Sequence, residues 1–113
     1  MTKFSYFLGS EQWQPETLLK HAQLAKKAGF DMVTIFEHFH SWVDDHSASN
    51  FTWTTLGALA KDLKDMDLGT GVTTPLWRIH PGVIAQASAT VDRLTNSTFH
   101  LGVGTGENIN EGP

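Results

Sequence analysis

The 113-residue chain contains no cysteine. That excludes disulfides, thiolate metal sites and iron–sulfur ligation, and it fits a reducing cytosol. No apolar run approaches the ~20 residues needed to span a bilayer. The N-terminal segment from Lys3 to Gly9 is too short and too interrupted for a signal peptide, and Glu11 follows at once. There is no block of like charge either. Eight Lys and Arg against twelve Asp and Glu give a net charge of -4, dispersed along the chain, so neither nucleic acid nor an anionic membrane is an implied partner. Low-complexity segments and linkers are missing. What remains is a soluble, cytoplasmic chain of at most one domain, long enough for a real core but short for most enzymes. A hydrophobic fraction of 40%, four Trp and seven Phe supply large side chains to bury.

Hydrophobic periodicity orders the chain. Phe4 to Leu8 reads as a strand that ends at Gly9-Ser10. Pro15 suits the first position of a helix whose Leu18, Ala22 and Ala25 recur at helical spacing, with Leu19 widening the face and Gly29 closing it. Phe30 to Phe36 is a second strand, apolar throughout as a strand covered on both faces should be. A second helix starts near Thr52 with Trp53, Leu56, Ala60 and Leu63 on one face. Gly57 interrupts it, and close packing against a strand would account for that residue. Leu68 to Thr74 is a third strand, stopped by Pro75. Pro81 opens a third helix, with Ile84, Ala87, Val91 and Leu94 sharing a face, and Phe99 to Val103 is a fourth strand. The order β-α-β-α-β-α-β predicts a parallel α/β sheet, the N-terminal half of a (β/α)8 TIM barrel whose whole form takes about 250 residues.

The chemistry concentrates where the second strand ends. Met32 to Phe36 gives way abruptly to Glu37-His38-Phe39-His40-Ser41-Trp42, and in parallel α/β proteins ligands sit beyond the carboxyl ends of the strands. The other reading is a polar loop with solvated histidines. His38-Phe39-His40 also has the spacing at which two imidazoles on an extended strand chelate a metal, with Asp44, Asp45 and His46 nearby. The pair follows the second strand, however, and no other strand end offers a His or Asp ligand, so no metal is assigned. Gly102-Val103-Gly104-Thr105-Gly106-Glu107 lacks the Gly-Lys-Ser/Thr ending of a Walker loop. Its glycines either let the backbone pass close to a flat ligand or make a tight turn. Gly71, in a strand rich in Gly and Thr, marks a bulge or a close backbone approach. Trp53 and Trp77 are expected to pack, and Arg78 and His80 to be structural.

Together these stretches resemble the luciferase-like family of flavin and deazaflavin oxidoreductases, most closely its glucose-6-phosphate-dehydrogenase-type branch, which uses coenzyme F420. The resemblance runs nearly end to end. It rests on Gly29-Phe30-Asp31, Glu37-His38-Phe39 with Trp42, Leu68-Gly69-Thr70-Gly71-Val72 and Pro81 to Ala87, then on Ala89 to Leu94 and Leu101 to Asn108. Glu37 stands where the branch commonly has Asp, and Asn96-Ser97-Thr98 replaces a more usual Gly-Arg pair. The resemblance implies catalytic roles for three residues: His38 as base or stabiliser of the oxidised carbon, Trp42 lining the pocket against the reacting centre, and Glu107 as acid or electrostatic partner of the ring. It implies cofactor contacts from Glu37, Thr74 and Asn110, and a non-prolyl cis peptide at Gly71-Val72 supporting the ring.

The function so implied is hydride transfer between F420 and an alcohol or sugar-type small molecule, as part of a larger barrel. An FMN-dependent luciferase-like monooxygenase and a non-catalytic, self-associating half-barrel are the alternatives. Residues 1–113 are expected to be an incomplete barrel with two unpaired sheet edges, pairing as a homodimer or with a complementary half. Interior side chains such as Phe99 and Leu101 are expected to be left exposed.

Overall fold

In a computed structural model, which describes residues 1–112, four parallel strands lie side by side in chain order. They are β1 (Ser5–Leu8), β2 (Met32–Ile35), β3 (Asp67–Thr70) and β4 (Phe99–His100). Three helices connect them: α1 (Pro15–Lys27), α2 (Thr52–Asp62) and α3 (Pro81–Leu94). A single turn, α4 (Asn108–Glu111), follows β4 and extends the predicted element order by one. Sequential parallel order with a helix at each crossover is the architecture of half a (β/α)8 barrel. Among the described residues no helix is long and apolar enough to cross a membrane.

The strands are shorter than their apolar runs because pairing, not side-chain character, sets their ends. Ser5 to Leu8 pair in register with Met32 to Ile35, and these with Asp67 to Thr70. The ladder then breaks at Gly71-Val72, where the peptide is cis, and resumes only as the isolated bridge between Thr73 and Val103. The predicted third and fourth strands therefore continue as a bulged, partly paired tip at the sheet's carboxyl end.

Alternation divides each strand between two layers. Leu8, Val33, Ile35 and Leu68 point to the helices and join Leu18, Ala22, Ala25, Trp53, Leu56, Leu59, Ala60, Leu63, Ile84 and Val91 in one core. The predicted faces of α1 and α2 are thus the buried ones, while Leu94, at the end of α3, is half exposed. Phe99 also belongs to the helix layer, its ring 5.9 Å from that of Trp53. It does not face the barrel interior, which corrects the expectation for Phe99; Leu101, just past β4, is 44% exposed, as expected. Trp77 does not pack at all, being 82% exposed. The opposite face carries smaller and more polar groups. Ser5 and Thr34 hydroxyls bond at 3.1 Å, Phe7 stacks on Phe36, and Gly69 sits against Met32 and His100 with no room for a Cβ.

The N-terminal end of the sheet is tied by one buried carboxylate. Asp67 Oδ1 accepts from the Ser97 hydroxyl and from Thr98 N, while Oδ2 meets His100 Nε2 at 3.1 Å and Lys3 Nζ at 3.4 Å. The Ser97 hydroxyl holds the Asp67 carboxyl well below the usual carboxylate range; burial opposes this, and His100, Thr98 N and Lys3 reinforce it. The unusual Asn96-Ser97-Thr98 segment therefore has a local use, as a cradle for this acid.

Two outcomes follow for stability. A folded-state value depressed below the unfolded value of about 3.9 contributes stability that is fully present above that pH and is lost as pH falls below it. Acid unfolding followed by circular dichroism should therefore show a slope below about pH 4 that Asp67→Asn reduces. At Gly57, a Cβ would meet nothing within 4 Å and φ is not positive, so packing against a strand does not explain this glycine. Gly57→Ala should raise stability by about 1 kcal/mol, read as a higher Tm.

Candidate active site

At the carboxyl end of β2 the chain leaves the sheet with Glu37 buried and His38 partly so. Glu37 N donates to Val72 O at 3.2 Å, which joins this turn to the cis peptide of the next strand. The Glu37 side chain is enclosed. Thr73 Oγ1 donates to its Oε2 at 2.6 Å, and Arg78 Nη2 lies 2.5 Å from its Oε1. A carboxylate taken out of water needs such partners, and here one is a charge and one a hydroxyl.

His38 is gripped from the first strand's loop. Its Nδ1 contacts Oε1 of the buried Glu11, whose Oε2 accepts from Trp42 N at 2.7 Å. One carboxylate thus fixes both the imidazole and the backbone that carries the indole. With Nδ1–H donated to Glu11, the neutral imidazole keeps its lone pair on Nε2. Trp42 stacks beside His38 with ring centroids 6.4 Å apart. From the far side, Asn110 of α4 caps the same turn: its Oδ1 accepts from Phe39 N at 2.8 Å and from His40 N at 2.9 Å.

These contacts leave two adjoining hollows that share His38. The first, about 240 Å³, runs between the ends of β3 and β4 and is lined by Glu37, His38, Val72, Thr74, the Gly104–Glu107 segment, Asn110 and Glu111. The second, about 360 Å³, lies toward the end of β1 and is walled by Gly9, Glu11, Gln12, Phe36, Trp42, Val43 and His46. Six residues assigned from the sequence, Glu37, His38, Val72, Thr74, Glu107 and Asn110, therefore meet in one cleft. Trp42 stands across His38 in the neighbouring hollow. Gly71 lines neither; it lies behind, where an added Cβ would come 2.9 Å from Phe7 Cε2. His38 lines both hollows and His40 neither, and among the described residues no three acids or imidazoles are grouped to hold a metal ion.

The glycines of the first cleft have specific reasons. A Cβ on Gly104 would come 2.6 Å from Val72 Cγ2, and Gly106 has φ +83°. The wall they leave is backbone. Glu107 is exposed at its rim, immediately before α4, and the buried Asn110 Nδ2 has no hydrogen-bond partner. A flat ligand with polar edges suits both features: bare backbone to lie against and an amide donor still to be satisfied.

Sequence reasoning missed Glu11 and Glu111 and gave Arg78 only a structural part. Glu11 had one signal, its place just past the end of β1 on the same side of the sheet as Glu37. The other two act through contacts with no local pattern.

The model of the luciferase-like monooxygenase family matches residues 2–112. An F420-dependent glucose-6-phosphate dehydrogenase of Beutenbergia cavernae is 42% identical over all of this chain and 34% of its own length. An F420-dependent hydroxymycolic acid dehydrogenase of Mycobacterium tuberculosis is 40% identical over 92% of this chain and 29% of its own. Among solved structures, an F420-dependent secondary alcohol dehydrogenase in complex with an F420-acetone adduct superposes with a TM-score of 0.93 at 35% identity, covering 97% of this chain and 33% of that one. The tetrahydromethanopterin reductase of Methanopyrus kandleri, at 23% identity and a TM-score of 0.80, shares the fold. The chain spans about a third of the length of the curated relatives it matches. With the family model matched over nearly its whole length and a site built at the carboxyl ends of its strands, this chain belongs to the luciferase-like monooxygenase family.

Proposed function

We propose that the chain is the N-terminal half-barrel of an oxidoreductase that uses coenzyme F420 for hydride transfer with an alcohol or sugar-type substrate. The observation that carries this reading is the Glu11–His38 pair at the junction of the two hollows. It is a base with a defined free nitrogen, beside a cleft walled by bare backbone. The names of the relatives favour F420 over FMN.

The residues of the first cleft fit the ring of such a cofactor. Val72 and the Gly104–Gly106 backbone offer a flat support, and the Asn110 amide and the Thr74 hydroxyl offer polar contacts at its edge. When bound, the deazaflavin supplies the hydride acceptor. The protein's own residues do the rest. His38 Nε2 takes the proton of the substrate hydroxyl as the carbon is oxidised, and the Glu11 carboxylate stabilises the imidazolium so formed. Trp42 shields that proton transfer from bulk water on the side of the second hollow, where Phe36 and Val43 receive the body of the substrate. Glu107 is the solvent-reachable carboxyl of the cleft and can deliver a proton there.

The longer protein would close the sheet. β1 and β4 are its two edges, and the face away from the helices carries Phe7 at 48% exposure. Further strands of the same chain, a complementary half or a second copy of this one would cover them.

Two experiments test the reading. In the complete barrel, F420 rather than FMN should be turned over with an alcohol, and chelation should leave the rate unchanged. There, His38→Ala and Glu107→Gln should each lower kcat by about 10²–10⁴-fold, with F420 affinity falling less for His38→Ala. Turnover near that of the unmodified protein in either variant would remove that residue from the mechanism. Residues 1–113 alone should self-associate rather than run as a 12.5 kDa monomer. A monodisperse monomer in light scattering, active with F420, would refute the half-barrel reading.

A further inference from the structure

Arg78 lies in the segment between β3 and α3 and lines neither hollow, yet it touches three of the elements that build the first one. Its Nη2 is 2.5 Å from Glu37 Oε1 at the end of β2 and 3.6 Å from Glu111 Oε1 in α4, and both carboxylates are buried. Its guanidinium carbon stands 5.7 Å from the ring centre of Phe39, in the His38–His40 turn. The contacts with the two acids are close in distance but not aligned as directional hydrogen bonds: Arg78 Nε and Nη2 and Glu111 Oε2 all lack a hydrogen-bond partner. Charge therefore holds this group together.

The balance of that charge is uneven. One guanidinium serves two buried carboxylates. Removing it would leave both acids without their nearest cation, and an uncompensated charge on a carboxylate only 2% or 7% exposed is strongly destabilising to its surroundings. Those surroundings are specific. Glu37 and Glu111 both line the cleft, and Asn110, next to Glu111 in the same turn, caps the backbone of Phe39 and His40. A one-turn helix has little stability of its own, so α4 must be held by tertiary contacts. Arg78, pairing with Glu111 and lying over Phe39, is the cation placed to hold α4 against the turn that carries His38.

We propose that Arg78 is a positioning residue for this site: from behind the cleft wall it locks α4 onto the His38–His40 turn through its charge, and so sets both the geometry of His38 and the affinity for the cofactor. The second half of this rests on the F420 reading above; the first does not.

The test separates the two. In the full-length protein, hydrogen exchange at the amides of Phe39 and His40 reports on the Asn110 cap with no cofactor present. Arg78→Met should speed exchange there by at least tenfold while the β2 and β3 amides stay protected, and Arg78→Lys, which keeps the charge, should restore most of the protection. Arg78→Met/Glu111→Gln should exchange more slowly than Arg78→Met, because one uncompensated carboxylate has gone. F420 binding, followed by quenching of its fluorescence, should weaken at least tenfold in Arg78→Met and by less than threefold in Arg78→Lys. Unchanged exchange in Arg78→Met, or equal loss in the Lys and Met variants, would overturn the proposal. If the unmodified protein fails to bind F420, the functional reading falls, and the exchange data alone decide the role of Arg78.

Discussion

A carboxylate withdrawn from water must find a cation or hydrogen-bond donors, and three acids of this chain meet that demand at the two ends of the sheet. Asp67 does so at the N-terminal end of the sheet, where Ser97, Thr98 N, His100 and Lys3 gather the starts of β3 and β4 and the segment before β1. Glu37 does so at the carboxyl end of β2, with Thr73 and Arg78. Glu11 does so beside it, with His38 and Trp42 N. Each acid joins segments far apart in sequence, and each is satisfied only when those segments are in place. The apolar core beneath them is non-directional and would tolerate slippage. The acids specify which residues face one another at the two ends of the sheet.

The division of labour matches the architecture. In parallel barrels the N-terminal face is the structural one and the carboxyl face the reactive one. Asp67 is engaged through both oxygens and lines neither hollow of the candidate site. Glu37 and Glu11 lie at the reactive face, and Glu11 is coupled to an imidazole that still has a nitrogen to offer. The same chemical necessity therefore makes a clamp at one end and, on the proposed function, a base at the other. The difference lies in placement: Asp67 meets its imidazole, His100, at the N-terminal end of the sheet, whereas Glu11 meets His38 where the two hollows join.

Much of this was legible in the sequence, and the reasons are physical. The faces of α1 and α2 were readable because Leu18, Ala22 and Ala25, and Trp53, Leu56, Ala60 and Leu63, repeat at the helical period and all pack on one sheet. Gly29 ends the first helix as expected, at φ +93°, and His80 proves structural, its Nδ1 accepting from Gly82 N at the start of α3. The cis peptide at Gly71-Val72 is where the resemblance put it. Strand ends were less readable, because they depend on pairing: Val72 is as β-prone as Val33, yet the ladder breaks there. Trp77 and Phe99 show the same limit from both sides. An indole signals burial only if the backbone turns it inward, and a Phe faces the helix layer or the barrel interior according to register, which no composition reveals. Glu11, Arg78 and Glu111 went unassigned as site residues because their meaning lies in one another and in His38.

Distance along the chain has a further consequence for how the molecule is made. Each strand pairs with the one before it in sequence, so the sheet can grow in the order of synthesis. The bonds from Asn110 to Phe39 and His40 span 71 and 70 residues, and contacts of long sequence separation close late because the loop entropy must be met first. The turn bearing His38 therefore emerges from the ribosome and sits on a half-built sheet long before its cap exists. During that interval Glu11 can already hold His38 and Trp42, and the arrival of α4 adds the cap on Phe39 and His40.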